Sequence, residues 1–250
     1  MSPNIEKGIR PLVDILNSLK GITTRYSCHG HLRNPNAWVI FSCKDVEYPY
    51  KLWADLRALD RRCGSNGYFW SVMPHFAFYN GDPGFIIKAV STSYSRRKFI
   101  VKHYLLDEIV NLDKLLFARE NENNNIGDNQ CQPYEQPPIS PPSFFNRVSA
   151  RVFSVTTGTA DCINSNLSTA SVTFDELCHN VLYQMTNSDV NNKDILIFAP
   201  LEQAICLWNL AALLRTLYCE GAYSRWPEIN GYFLDGKEVM MKIWTKGSVK

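Results

Sequence analysis

A segment rich in asparagine and proline interrupts the chain near its middle, between Ala118 and Asn146. Asparagine favours turns, while proline removes a backbone donor and biases the preceding residue towards extended conformations. Neither composition suits a regular helix or strand, so we interpret residues 118–146 as a linker. The sequence therefore predicts two lobes, 1–117 and 147–250, on either side of that linker.

The apolar pattern of residues 1–117 predicts the element order α-β-β-α-β-β-α. Apolar residues at helical spacing predict three helices, at 5–19, 50–62 and 96–117. Runs rich in β-branched and aromatic residues predict four strands, at 22–26, 38–42, 68–79 and 85–91, the last two joined by a turn at Gly81-Asp82-Pro83-Gly84. This order is typical of a largely antiparallel sheet with helices on one face.

The pattern of residues 147–250 predicts a second α/β lobe. Thr173 and Glu176 form a capping-box signature for a helix that ends near Gln184. Asp235-Gly236 predicts a closing antiparallel hairpin, and further segments predict strands at 151–156 and 193–199 and a helix at 201–219. We find no convincing sequence repeat between the two halves. The predicted fold class is α/β (α+β), with a mixed or antiparallel sheet in each lobe.

Composition narrows the class of protein. With 45% hydrophobic residues the chain can bury a sizeable core, which excludes wholesale disorder. The absence of an 18-residue apolar run and of a signal-peptide pattern predicts a cytoplasmic protein without a membrane segment. None of the eight cysteines forms a Cys-x-x-Cys pair, which argues against a zinc ribbon or a thioredoxin motif. Residues 1–117 carry 16 basic against 10 acidic residues, whereas residues 118–250 carry 10 against 14.

The densest group of reactive side chains is the loop Ser27-Cys28-His29-Gly30-His31, which follows a predicted strand. Strand-to-loop junctions are common ligand sites in α/β proteins. Gly30 would allow close approach of an anion, and arginine guanidinium groups can hold a phosphate through two hydrogen bonds. The predicted ligand-binding residues of this loop are Arg25, Ser27, Gly30, His31 and Arg33.

Three other interpretations of the loop stay open. A metal such as zinc would need three or four converging ligands, and the candidates are Cys28, His29, His31 and, from the partner strand, Cys43. A catalytic role would use Cys28 as a nucleophile or the two histidines in acid-base work. In the third interpretation the loop is an ordinary hairpin turn whose side chains satisfy backbone groups.

A second basic group lies at the start of the predicted helix 96–117. Aromatic side chains are interleaved with it, as in sites where bases stack on aromatic rings. The cluster could equally be a solvated face or a contact for the acidic second lobe. The candidate ligand-binding residues here are Arg96, Arg97, Lys98 and Lys102.

The helix, strand and Ser-Cys-x-Gly-His pattern of Leu16 to His31 resembles small uncharacterised proteins of phages and other mobile elements. It is also distantly similar to the wybutosine-synthesis family, which methylates a tRNA guanosine derivative. Ser27, Cys28 and Gly30 match the Ser-Cys-Ser-Gly-Arg loop of that family, and His31 replaces its arginine. The second resemblance implies S-adenosylmethionine and an RNA substrate near the loop.

We therefore expect a protein that captures a nucleotide-like anion or nucleic acid, with a counter-defence role in conflict between a mobile element and its host. A host protein is a possible partner. The first alternative is an RNA- or nucleotide-modifying enzyme that uses the Cys28 to His31 loop with S-adenosylmethionine or zinc. The second alternative is a protein-interaction module. The sequence does not indicate an oligomeric state.

Overall fold

A computed structural model of the chain describes residues 5–30, 36–63, 68–91, 147–156, 172–186, 193–220 and 228–245. The chain divides into two compact units. Unit 1 comprises Met1–Met73 and Gly84–Pro137, and unit 2 comprises Pro74–Pro83 and Pro138–Lys250. The linker predicted at 118–146 and the helix predicted at 96–117 lie outside the described residues.

The described part of unit 1 follows the predicted order of helices and strands. Its elements are α1 (Arg10–Ser18), β1 (Ile22–Cys28), β2 (Trp38–Cys43), α2 (Glu47–Cys63), β3 (Tyr68–Tyr79) and β4 (Asp82–Ser91), of which β3 continues into unit 2. Helix α1 is shorter than the predicted 5–19 because Pro11 lies in its first turn. Proline is favoured there, where its missing N–H is not needed, and is excluded from a helix interior.

Sheet 1 has the strand order β1-β2-β4-β3, and β2 is antiparallel to both β1 and β4. One face of the sheet is buried: Val39, Phe41, Phe85 and Ile87 have no exposed surface. The rings of Phe41 and Phe85 stack with centroids 5.7 Å apart. The apolar sides of the helices complete this core with Leu12, Leu16, Leu52 and Leu56.

The described part of unit 2 contains a second four-stranded sheet and two α-helices. Its elements are β5 (Arg147–Val148), β6 (Arg151–Thr156), β7 (Val172–Thr173), α3 (Phe174–Thr186), β8 (Lys193–Pro200), α4 (Ile205–Cys219), β9 (Glu228–Leu234) and β10 (Glu238–Thr245). Sheet 2 has the order β6-β8-β10-β9, with every neighbouring pair antiparallel, and β5 pairs with β7 separately. The predicted α+β class with a sheet in each lobe is confirmed.

Local sequence signals explain how α3 and the last hairpin form. The Thr173 N–H donates to Glu176 Oε2 at 2.7 Å, and the Glu176 N–H donates to Thr173 Oγ1 at 3.2 Å, so the predicted capping box is present. Strands β9 and β10 pair around a three-residue connection in which Gly236 has a φ of 84°. Glycine tolerates this left-handed conformation without the penalty of a Cβ.

The turn between β3 and β4 differs from the predicted one. It consists of Asn80 and Gly81, with φ of 54° and 86°, while Asp82, Pro83 and Gly84 belong to β4. Positive φ at both central residues is characteristic of two-residue hairpin turns, and Asn-Gly is the dipeptide that adopts it most readily. The Asn-Gly pair therefore outweighs the Gly-Asp-Pro-Gly sequence that follows it.

The tip of this hairpin, Pro74–Pro83, packs within unit 2. Phe76 is 2% exposed and meets Trp208 of α4 edge to face, with ring centroids 4.8 Å apart. Arg215 of α4 donates a hydrogen bond to the carbonyl oxygen of Phe76. A Cβ built on Gly231 of β9 would lie 2.5 Å from the Pro74 carbonyl oxygen, so this close approach requires glycine.

Within the described ranges, no helix combines the length and the apolar character needed to cross a bilayer.

Candidate functional site

The predicted site loop begins where β1 ends, and its first histidine is held by the N-terminal segment. Glu6 Oε2 accepts the backbone N–H of His29 and lies 2.8 Å from His29 Nδ1. Gly8 packs against the same imidazole, because a Cβ on Gly8 would lie 3.4 Å from His29 Cβ. Sequence analysis did not single out Glu6. Through these contacts, His29 holds the segment 6–8 against the end of β1.

The next two loop positions form a tight local structure. Gly30 has a φ of 92°, a conformation that glycine adopts readily and other residues rarely do. Its N–H donates to Cys28 Sγ at 3.4 Å. Position 30 therefore favours glycine for its backbone conformation, and the Cys28 thiol accepts a local hydrogen bond.

The structure does not bring Cys43 to Cys28 for a metal site. Cys28 pairs with Trp38 at one end of β2, whereas Cys43 pairs with Ile22 at the other end. Five residues of strand separate the two positions by about 16 Å, and the odd spacing puts them on opposite faces. Among the described residues, no group of three or more His, Cys, Asp or Glu side chains could hold a metal ion.

Several predicted site residues lie outside the described part of the chain. Two belong to the loop and four to the basic cluster: His31, Arg33, Arg96, Arg97, Lys98 and Lys102. Their predicted roles in binding, metal ligation or catalysis stay predictions.

Arg25 and Ser27 lie on β1 itself. The register between β1 and β2 shifts between Thr24 and Tyr26, which makes Arg25 an extra residue in the strand. Its Nε and Nη2 atoms donate to the hydroxyl of Ser42 at 3.2 and 3.1 Å. Such a bulge redirects a side chain, and here the guanidinium group lies on the face of the sheet that carries Ser42.

That face of sheet 1, opposite the buried one, is partly exposed, and we call it the open face. In the register of β1, β2 and β4, Cys28, Trp38 and Lys88 form one row across the sheet. Tyr26, Ile40 and Ile86 form the next row. Cross-strand partners share a face, so the six side chains form one surface that continues into the Arg25 bulge.

The exposure of the open face is greatest at an aromatic side chain. Tyr26 is 61% exposed, whereas Trp38, Ile40 and Ile86 are half-buried. Tyr26 is opposite Ile40, two residues from Trp38, so the two aromatic residues are diagonal neighbours on adjacent strands. A surface with two aromatic residues at this spacing can stack planar groups.

Lys88 is the cation in the Cys28–Trp38–Lys88 row of the open face. It is half-buried, and burial lowers the pKa of its ammonium group because the charged form loses hydration. No carboxylate of the described residues lies within 4 Å of Lys88 Nζ. A partly desolvated ammonium group that has no carboxylate partner among the described residues favours binding of an anion.

Unit 2 contains a separate cleft between α3 and α4, with a volume of about 520 Å³. Cys178 and His179 both line it, but Cys178 is buried and His179 is exposed, as expected for neighbours on a helix. Burial and the nearby Asp175 raise the pKa of Cys178 to about 11. The thiol is therefore protonated at neutral pH and is a poor nucleophile.

His75 and Tyr79 are two further ionisable residues of unit 2, and both lie in the tip of the β3–β4 hairpin. The ring of His75 stacks on Tyr79 with centroids 6.1 Å apart. Burial and the charge of Arg215 lower the pKa of His75, so the imidazole is neutral at physiological pH. These contacts indicate that His75 has a structural role in the packing of unit 2.

Sequence analysis found the loop but missed the open face beside it. The signal that was present is the alternation of Trp38 with Ile40, and the occurrence of Tyr26 two residues before Cys28. Lys88 carries no sequence signal, because only the pairing of β2 with β4 places it opposite Trp38.

Comparison of the chain with protein-family models, with curated proteins and with solved structures gives no match.

Proposed function

We propose that unit 1 captures a nucleotide unit, free or within a single-stranded nucleic acid, on the open face of sheet 1. The observation that carries the proposal is Lys88, a half-buried cation without a carboxylate partner among the described residues, in the same row as Trp38. A phosphate would supply the missing counter-charge. A base or sugar would cover the aromatic and aliphatic part of the surface.

The chemistry of a nucleotide fits the two parts of this face. Base stacking on an aromatic side chain contributes about 1–3 kcal/mol and tolerates any base, so Tyr26 and Trp38 suit capture without strong sequence preference. A hydrogen bond from a charged donor contributes about 1.5–3 kcal/mol, which is the role of Lys88. Arg25 borders the same face through its contact with Ser42. Four-stranded sheets that bind RNA use their exposed aromatic residues in this way.

The role that we propose is capture in the cytoplasm, in line with the resemblance to phage and mobile-element proteins. Sequestering a signalling nucleotide or a host RNA would give such a protein a counter-defence function. A mononucleotide and an oligonucleotide share the base and the phosphate, so both belong in the binding test.

The test measures binding of AMP, of a fluorescein-labelled oligothymidylate and of inorganic phosphate to the full chain. Lys88→Gln removes the charge from the open face and is expected to weaken nucleotide binding by about tenfold or more. Trp38→Leu removes a stacking surface and is expected to weaken the two nucleotide probes but not phosphate.

Lys51→Gln is the matched control, because Lys51 lies on α2 in an exposed pair with Glu47. It removes the same charge from unit 1 without touching the open face. Preference for the oligonucleotide over AMP would identify nucleic acid as the ligand, and the reverse would identify a free nucleotide. Equal affinities for the wild type, Lys88→Gln and Lys51→Gln would overturn the proposal.

A further inference from the structure

The four-stranded sheets of the two units have the same strand order relative to the chain. In sheet 1 the strand order is β1-β2-β4-β3, with α2 between its second and third strands along the chain. In sheet 2 the order is β6-β8-β10-β9, with α4 between the second and third of those strands. The shared unit is thus β-β-α-β-β, in which the fourth strand lies between the second and the third. Unit 2 differs by the insertion of β7 and α3 between its first two strands, β6 and β8.

The helices of the shared unit, α2 and α4, also have five identical residues at one constant spacing. Leu52, Ala54, Leu56, Arg57 and Leu59 recur 158 positions further on as Leu210, Ala212, Leu214, Arg215 and Leu217. The correspondence extends to packing, because Leu52 and Leu56 are buried and so are their counterparts. This match alone is too short to establish a sequence repeat, because leucine is common in apolar helices.

The same spacing of 158 residues aligns the strands that precede the helices. It matches Trp38 with Leu196, and these two residues are opposite Lys88 and Lys242, respectively. Lys242 of sheet 2 therefore corresponds to Lys88 of the open face. Both lysines lie on the face of their sheet opposite the buried face.

The spacing also aligns Asn36 with Asp194. In both residues the Oδ1 atom is buried without a hydrogen-bond partner. In unit 2 the other carboxylate oxygen, Asp194 Oδ2, lies 2.7 Å from Lys242 Nζ. Asn36 carries no charge, so the corresponding lysine in unit 1 has no carboxylate at this position.

The outer face of sheet 2, the side that carries Lys242, has two ion pairs whose charges cancel, and the exposed Glu228 adds one negative charge. Lys242 is paired with Asp194, and Arg151 is paired with Glu238. An aromatic side chain is nevertheless present, since Tyr232 is 38% exposed and shares a row with Met240. The positions that match the open-face aromatic residues Trp38 and Tyr26 hold Leu196 and Arg151. This face therefore shares the lysine of the open face, has its exposed tyrosine on a different strand, and adds a carboxylate that neutralises the lysine.

We propose that the outer face of sheet 2 is a second copy of the phosphate site of sheet 1, kept closed to anions by the Asp194 carboxylate. This inference rests on the proposed function of unit 1 and adds the residue that decides which copy binds. Asn at position 36 leaves the first site open, whereas Asp at position 194 supplies an internal counter-charge. The wild-type chain then binds one phosphate-bearing ligand.

The binding test exchanges the two side chains. With the labelled oligothymidylate as probe, Asp194→Asn is expected to raise the stoichiometry from one to two per chain, and Asn36→Asp to weaken the first site by about tenfold or more. In Asp194→Asn, the further change Lys242→Gln is expected to remove the added site. An unchanged stoichiometry in a folded Asp194→Asn variant would overturn the inference.

A measurement without any ligand separates this inference from the proposed function. The ammonium groups are followed by NMR of lysine labelled at Cε. Asn36→Asp is expected to raise the pKa of Lys88, because a nearby carboxylate favours the charged form. If this shift occurs but the wild type binds no probe, the proposed function fails and the correspondence stands. If the pKa of Lys88 does not rise, the correspondence of the two lysine sites is wrong.

Discussion

Gly231→Ala tests how closely the tip of the β3–β4 hairpin packs within unit 2. The added Cβ would lie 2.5 Å from the Pro74 carbonyl oxygen, 2.6 Å from Pro74 Cβ and 2.9 Å from Phe76 Cε2. Ordinary contacts begin near 3.4 Å, so the hairpin tip or β9 must move by close to 1 Å. Two of the three atoms belong to a proline and its backbone, which cannot move aside as the end of a flexible side chain can.

The cost of this movement follows from the packing around it. Overpacking a close contact typically costs about 1–3 kcal/mol, and the stiffness of Pro74 places this substitution at the upper end. Restriction of the unfolded chain by alanine returns about 0.4–1 kcal/mol. The expected net loss in the free energy of unfolding is therefore about 2 kcal/mol, measured by urea denaturation with tryptophan fluorescence, to which Trp208 contributes.

Asn230→Ala is the matched control, because Asn230 precedes Gly231 on the same strand and is exposed. A surface change of this kind is expected to alter stability by less than about 0.5 kcal/mol. If Gly231→Ala is as stable as Asn230→Ala, the hairpin tip does not pack against β9 as the structure describes.

Three other predictions concern single groups. Thr173→Ala removes the side-chain half of the capping box of α3. It is expected to lower the free energy of unfolding, measured by urea denaturation, by about 1 kcal/mol. An unchanged denaturation midpoint would mean that the cap does not stabilise the helix. Cys178 has a pKa of about 11, so only about one thiol in a thousand is a thiolate at pH 8. A thiol reagent is therefore expected to label the exposed Cys219 before the buried Cys178. Equal labelling rates in mass spectrometry would contradict the burial of Cys178. The pKa of His75 lies below its ordinary value of 6.5, so the unfolded chain binds more protons than the folded one, and stability is lost as the pH falls from about 6.5 through the lower folded pKa. His75→Gln is expected to flatten that part of the stability profile, and an identical profile would exclude His75 as its source.

The sequence predicted the parts of the fold that depend on local chemistry. The capping box at Thr173, the strands around Cys28 to Asn36 and the hairpin at Asp235-Gly236 all occur, because each is determined by residues within a few positions of one another. The bounds of α1 and of the β3–β4 turn differ from the predicted ones. Pro11 outweighs the hydrophobic pattern at the start of α1, and Asn80-Gly81 outweighs the Gly-Asp-Pro-Gly sequence at the turn.

What the sequence did not predict depends on register and on long-range packing. Lys88 joins the candidate site only through its pairing with Trp38, 50 residues away in the chain. The place of Pro74–Pro83 in unit 2 follows from contacts of Phe76 and Gly231 with distant elements. The shared β-β-α-β-β topology becomes visible only when the strand orders are compared. A single sequence gives no direct information on such pairings.

The most direct test of the open face as a nucleotide site is an indole ¹H–¹⁵N NMR titration with the oligothymidylate. We expect the Trp38 indole signal to shift with a saturable dependence on ligand, and the signal of the buried Trp208 in unit 2 to stay in place. The Lys88→Gln variant is expected to need about a tenfold higher oligothymidylate concentration for the same shift, because its binding is weaker by that factor. A Trp38 signal that does not move while the oligonucleotide is bound would contradict the account.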